Sequence, residues 1–467
     1  MDISKIKSSI HSEQSNSKIE TDQSGTDRSR EMTLLAGAVL SALVVRLAIV
    51  ARVYPLFLSP DQDYWKFGYE MGHVAYAVVT GQGYANPYWG PIGLTVKVPP
   101  MYVYFMAAVF KIFGIYTKSA ALCILGIGSL FSALTCIPIY FIGKALVGVR
   151  AARWASWLWV PFPPALYFSA DRMWYFSLAT LLVCLMLLFA FRLGSSTSVW
   201  EWIGFGALAG FAALTNPVTL TIFPFLAGWA CYRLQKNGKH WGTQAGACVV
   251  VFCAALAPWL IRNYEVFHRP VFIRDDFWLE FYVGNVGNWP YRWNGSIHPS
   301  MNSGELQEYI DLGELNYMAR KKVQALAYVE AHPGLFVWRT IRRFVYVWTG
   351  FWSLHSEYKS AVLGLTINFC YLTFSFLAFT GLWKAYRLHP DKAVLVGIIL
   401  FVFPGVYYST HIEMGYRHPL DPILTLLAVY ALVAVPENVN ARVPSKSSLA
   451  VQGIEVEGAS WAPKPNL

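Results

Sequence analysis

Apolar runs long enough to cross a bilayer recur along this chain, joined by short connections that hold most of its lysines and arginines. A hydrocarbon core takes about 20 residues of helix to span. Backbone inside it must satisfy its own hydrogen bonds, which leaves only helices or a closed barrel. These runs are continuous and not alternating, so they read as helices. Ten segments qualify: 33–53, 119–146, 152–169, 173–192, 201–215, 217–232, 241–261, 359–384, 392–410 and 418–436. Two more, 99–114 and 334–352, are short or interrupted by Arg339, Arg342 and Arg343, and read as interfacial or re-entrant helices. The predicted fold class is an all-α polytopic membrane protein with about ten transmembrane helices and two interfacial ones.

Basic residues orient the chain. With the amino terminus in the cytoplasm, the inner connections carry ten lysines and arginines: Lys144, Arg150, Arg153, Arg192, Arg233, Lys236, Lys239, Lys384, Arg387 and Lys392. The short outer connections carry two, Arg172 and Arg417, so the positive-inside rule supports this orientation. Two large loops, 54–118 and 262–358, then fall outside. Residues 1–31 and 437–467 are polar and read as disordered cytoplasmic tails around a membrane domain at 32–436.

The formal charge of +10 could point to nucleic acid, but the basic residues are scattered between apolar runs and read as topology signals and lipid contacts. No nucleic-acid partner is expected. Nineteen tryptophans and 27 tyrosines suit aromatic belts at the headgroups. Seven cysteines lie in or beside apolar runs without a Cys-x-x-Cys pair, which argues against a disulfide framework or a zinc site.

Nearly all the unusual polar groups gather outside. A transporter would keep more of them near the midplane. Five stretches in order carry a family resemblance: the acidic start of the first loop with TGQGYANP (80–87), KVPPMYVYFMAAVFKIFG (97–114), GALAGFAALTNPVTLTIFP (206–224), APWLIRNYEVF (257–267) with FYVGNVGN (281–288), and HIEMGYRHPLDPIL (411–424). Together they make the chain similar to the GT-C superfamily of integral-membrane glycosyltransferases, in the group of protein O-mannosyltransferases and the lipid A aminoarabinose transferase. The resemblance implies a GT-C-like fold in a bacterial inner membrane, with the active site facing the periplasm. It also implies inverting transfer of a sugar from a polyprenyl-phosphate-linked donor to a hydroxyl on a protein, lipid or glycan.

Such transfer needs a carboxylate to take the acceptor's proton and cations to hold the leaving phosphate. The resemblance puts the carboxylate at the start of the first outer loop. Asp61 matches best by order, and Asp63 and Glu70 are the alternatives, seven apart and hence on one helical face. Asp61 is equally suited to a plain cap, following Ser59 and Pro60 at a helix start. Lys97, Arg262, Arg417 and His418 are the candidate phosphate ligands, with Asn263, His411 and Glu413 as neighbouring outer polar groups. Against these roles stand a snorkelling lysine, a headgroup anchor and a salt-linked loop. The Asp61-Gln62-Asp63 triplet offers fewer oxygens than a hard cation takes, so a divalent cation is left open. A flippase for a lipid-linked sugar is the alternative function; it would share the phosphate site and need no base.

Overall fold

The computed structural model describes residues 29–52, 67–170, 173–287, 293–352 and 360–433. Met1–Leu432 form one unit and Val433–Leu467 a second, of which only Val433 is among the described residues. In chain order the elements used below are α1 (Ser29–Arg52), α2 (Glu70–Val79), α3 (Pro100–Phe113), α4 (Lys118–Leu146), α5 (Val149–Leu158) and α6 (Pro163–Ala170). They continue with α7 (Phe176–Leu193), α8 (Val199–Thr215), α9 (Phe223–Lys236), α10 (Gly242–Phe267), α11 (Phe277–Asn285) and α12 (Ser303–Leu312). The last are α13 (Glu314–Ala331), α14 (Pro333–Thr349), α15 (Ala361–Leu388), α16 (Pro390–Ser409), α17 (Met414–Arg417) and α18 (Asp421–Val433). Among the described residues there is no strand, only an isolated antiparallel bridge between Ala85 and Leu94.

Each of the ten expected segments is helical over most of its length. Among the described residues six helices are long and apolar enough to cross a membrane: α1, α4, α7, α10, α15 and α16. The others are shorter for local reasons. Prolines 161, 163 and 164 break the 152–169 segment into α5 and α6, because proline cannot donate to the helical ladder. Asn216, before Pro217, leaves the helical region, and the chain resumes as a 3-10 turn before α9. The protein is an integral membrane protein.

The break between α5 and α6 strands carbonyls inside the bundle, and Arg46 of α1 satisfies them. Its guanidinium donates to the carbonyls of Trp159 and Val160 at 3.0 and 3.3 Å, and to Ser132 Oγ at 2.9 Å. The side chain is completely buried. Elsewhere helices meet through small residues. A Cβ at Gly206 would lie 2.3 Å from the Cys248 carbonyl oxygen, and one at Gly210 2.6 Å from Ala255 Cβ, so this GxxxG face lets α8 lie directly on α10. The first nine residues of α18, Asp421 to Val429, are buried without interruption, which puts this helix inside the bundle. Its C-terminal end is capped by Lys384, whose ammonium donates to the Ala431 carbonyl at 2.7 Å.

Helix α14 is amphipathic as expected for an interfacial element. Val337, Trp338, Ile341, Phe344 and Val345 are exposed, while Arg339 and Arg343 are buried on the opposite face. Those arginines point inward. Arg343 donates to the carbonyls of Gly284 and Ser409 and to Asn285 Oδ1, and Arg339 to the carbonyls of Asn285 and Gly287. They staple the end of α11 to the segment after α16.

Candidate active site

The site begins with two prolines. Pro100 opens α3 and Pro99 is extended, which keeps the preceding residues out of the helix. The run 95–98 is thereby kept out of the helix and bends at Lys97 and Val98, with Lys97 buried. Arg262, near the end of α10, fixes this loop. It donates to the carbonyls of Thr95 at 2.9 Å and Tyr84 at 3.0 Å, and its guanidinium lies over the rings of Tyr84 and Trp259. Asn263 is fully buried and donates to the Phe272 carbonyl at 2.9 Å. Both residues satisfy protein carbonyls and shape the loop that carries Lys97.

Lys97 reaches across to the second long loop. Its ammonium lies 2.6 Å from Asp276 Oδ1, with both side chains only 2% exposed. Arg274 takes the other oxygen, Oδ2. Burial opposes every charge here, but the partners outweigh it. Asp276 is held below the ordinary carboxylate range by Lys97 and Arg274, and Lys97 above the ordinary ammonium range by Asp276, Glu70 and Glu280.

Asp276 is the N-cap residue of α11, and Glu280 follows one turn later. Their side chains are hydrogen-bonded. Burial and the Asp276 charge push the Glu280 carboxyl well up. On its far side Oε2 lies 3.4 Å from His411 Nδ1, and His411 Nε2 lies 2.9 Å from the Tyr416 hydroxyl. Gly284, a further turn along, permits this approach, since a Cβ there would sit 2.0 Å from the Thr410 carbonyl oxygen.

Glu70 opens α2 on the other side of Lys97. Burial raises its carboxyl, and the Lys97 charge opposes that rise. Gly68 and Tyr69 both have positive φ, 73° and 38°, so α2 does not extend back beyond Glu70. Asp61 and Asp63 lie outside the described residues, as do Asp171 and Arg172. Among the described residues no three His, Cys, Asp or Glu side chains are placed to hold a metal ion.

A second cluster lies at the start of α18. Asp421 accepts from Arg417 Nε at 3.1 Å through one oxygen, and its other oxygen lies 3.0 Å from His418 Nδ1. His418 is fully buried and stacks on Trp159. Arg417 lies over Tyr371, 4.2 Å from its ring centroid, beside a small pocket also lined by Glu413 and Tyr346. Of the expected residues, the structure therefore brings Glu70, Lys97 and His411 to one cluster and Arg417, His418 and Glu413 to another, with Arg262 and Asn263 as supports.

Sequence reasoning missed Arg274, Asp276 and Glu280. The stretch IRDDFWLE held a signal, paired acids followed by another at helical spacing. It also missed Glu314, 6% exposed at the start of α13, which accepts from the Val96 amide at 2.8 Å and from the hydroxyls of Thr95 and Tyr309. This carboxylate latches the Lys97 loop to the second long loop.

No protein-family profile and no curated protein matches the chain. Among solved structures it is similar to the archaeal oligosaccharyltransferase AglB from Archaeoglobus fulgidus, solved in complex with an inhibitory peptide and a dolichol-phosphate. The TM-score is 0.51 at 14% identity, over 87% of this chain and 50% of that one. ArnT from Cupriavidus metallidurans bound to undecaprenyl phosphate also matches, at 12% identity over 86% of this chain and 77% of that one, with a TM-score of 0.34. At this identity the likeness is one of fold. This chain spans about half the length of the oligosaccharyltransferase it resembles.

Proposed function

We propose that the protein transfers a sugar from a polyprenyl-phosphate-linked donor to an acceptor hydroxyl, with inversion, on the periplasmic face of a bacterial inner membrane. The observation that carries this reading is the buried pair of Lys97 and Asp276, flanked by half-buried Glu70 and Arg274, joining the two long loops. Lys97 uses one ammonium proton on Asp276, which leaves two N–H groups for phosphate oxygens. Arg417, beside its pocket, is the second candidate for the phosphate, with His418 and Asp421 behind it. Asp61, Asp63 or Glu70 takes the acceptor proton. The acceptor oxygen then bonds to the anomeric carbon as the bond from that carbon to the phosphate oxygen breaks, and polyprenyl phosphate leaves. The acceptor is a protein, a lipid or a glycan.

The test uses purified protein in lipid nanodiscs and a panel of radiolabelled polyprenyl-phosphate sugars. Donor binding and sugar release are followed for the wild type and for Asp61→Asn, Asp63→Asn and Glu70→Gln. A variant that binds donor but releases no sugar identifies the base. Full transfer in the triple variant would reject a first-loop base. A wild type that carries the donor across the bilayer uncut would establish a flippase in place of a transferase.

A further inference from the structure

Glu280 has no role in the reaction proposed above, yet it stands at the junction of three segments. Both oxygens of Asp276 already accept from cations, Oδ1 from Lys97 and Oδ2 from Arg274. A hydrogen bond between the Asp276 and Glu280 carboxyls therefore needs one proton between them, and with Asp276 doubly paired to cations that proton belongs to Glu280. On the far side His411 Nε2 lies 2.9 Å from the Tyr416 hydroxyl, which can donate or accept. His411 Nδ1, the other ring nitrogen, faces Glu280 Oε2 at 3.4 Å.

We infer that Glu280 is a positioning residue whose protonated carboxyl bridges Asp276 to His411 and so ties α11, with the Lys97 pair, to the segment that leads into α17. The bridge runs Lys97, Asp276, Glu280, His411, Tyr416, and Tyr416 is the residue before Arg417. It joins the first cluster, through side chains, to the residue that precedes Arg417 of the second. Gly284 and the Arg343 staple hold the same two segments together one turn further along α11.

Removing the proton would set two carboxylates against each other within a single helical turn. The groups facing Glu280 are Asp276 and Arg274 from its own segment, Lys97 and Tyr88 from the first long loop, Tyr175 ahead of α7, and His411 and Tyr416. Lys97 and Arg274 are the only cations in that set, and both already face Asp276. Loss of the proton thus opens the bridge, and the site should fail on the alkaline side.

Only the activity arm of the test rests on the glycosyl-transfer reading. The first arm is an infrared pH titration of the wild type and Glu280→Gln in nanodiscs without donor. The expected result is a protonated-carboxyl band at neutral pH that fades only under alkaline conditions and is missing from the variant. If the substitution removes no such band, the inference is overturned. The second arm measures transfer against pH. Glu280→Ala should lower kcat, and Glu280→Gln, which can still donate to Asp276, should recover about tenfold of it, as one buried hydrogen bond is worth. The Gln variant should also lose the alkaline limb of the profile. A Gln variant no better than Ala, or one that keeps the alkaline limb, overturns the inference. If the wild type transfers no sugar, the function reading fails while the infrared arm still decides Glu280.

Discussion

Lys97 and Asp276 form a buried ion pair across 179 residues of sequence, joining the first long loop to the second at 2.6 Å. The pair is not isolated, since Arg274 shares the carboxylate and Tyr88 lies under the ammonium, 5.4 Å from its ring centroid. Removing one partner strands a charge away from water. Lys97→Met and Asp276→Asn should each cost about 3–5 kcal/mol, and the double variant clearly less than the sum. Denaturant unfolding in mixed micelles measures this, and strict additivity would show that the pair is not coupled.

Asp275, next to that pair, supplies a pH prediction. Burial, with the charges of Glu314 and Asp276, raises its carboxyl to about 7. The unfolded chain releases the same proton near pH 4. Between these values the folded state binds more protons, so stability contributed at this position falls as pH rises from about 4 to about 7 and is level above that. Asp275→Asn should therefore raise the thermal midpoint at pH 8 and leave it unchanged at pH 4. Equal shifts at both pH values would contradict the assignment.

The α8–α10 contact predicts a sharp size limit. At Gly206 an added Cβ would press on the Cys248 carbonyl, which is backbone and cannot swing away. Gly206→Ala should destabilise by about 1–3 kcal/mol. Gly204→Ala, whose Cβ would lie 3.9 Å from Phe189, should be tolerated. Thermal stability in detergent compares the two directly.

Arg343 makes the last prediction. Lysine keeps the charge but cannot span the carbonyls of Gly284 and Ser409 together. Arg343→Lys should cost about 1.5–3 kcal/mol, the value of hydrogen bonds to a charged group. Faster hydrogen exchange at 281–287 and 405–411, with α8 unaffected, is the expected signature.

Much of the fold was legible because its signal is local. A run of apolar residues declares a helix wherever it sits, and Pro99-Pro100 marks the start of α3 from sequence alone. Lys97, just ahead of those prolines, could be singled out in the same way. Its partner could not. An acid 179 residues away reads as a solvated helix face until the chain is folded, and the spacing of Asp276 and Glu280 looks the same on any surface helix. Arg339 and Arg343 show the opposite error. They read as interruptions of an apolar stretch, whereas they face inward and hold five backbone or side-chain oxygens. Arg262 was legible as a residue at the end of a span, but not as the clamp on the Thr95 and Tyr84 carbonyls.

Arg46 bears on the order in which the protein is assembled. When α1 enters the bilayer during synthesis, its arginine has only the Ala42 carbonyl of its own helix, because Ser132, Trp159 and Val160 have yet to emerge. An arginine at the centre of a span costs about 2.5–3.5 kcal/mol on insertion scales, and Arg46, nearer the C-terminal end of α1, costs less. The broken α5–α6 segment arrives later with carbonyls that lipid cannot satisfy. Each is poorly suited to lipid alone, and each supplies what the other lacks. The first span is thus a template that waits, and the first six helices become a settled unit only when the segment near Val160 closes around Arg46.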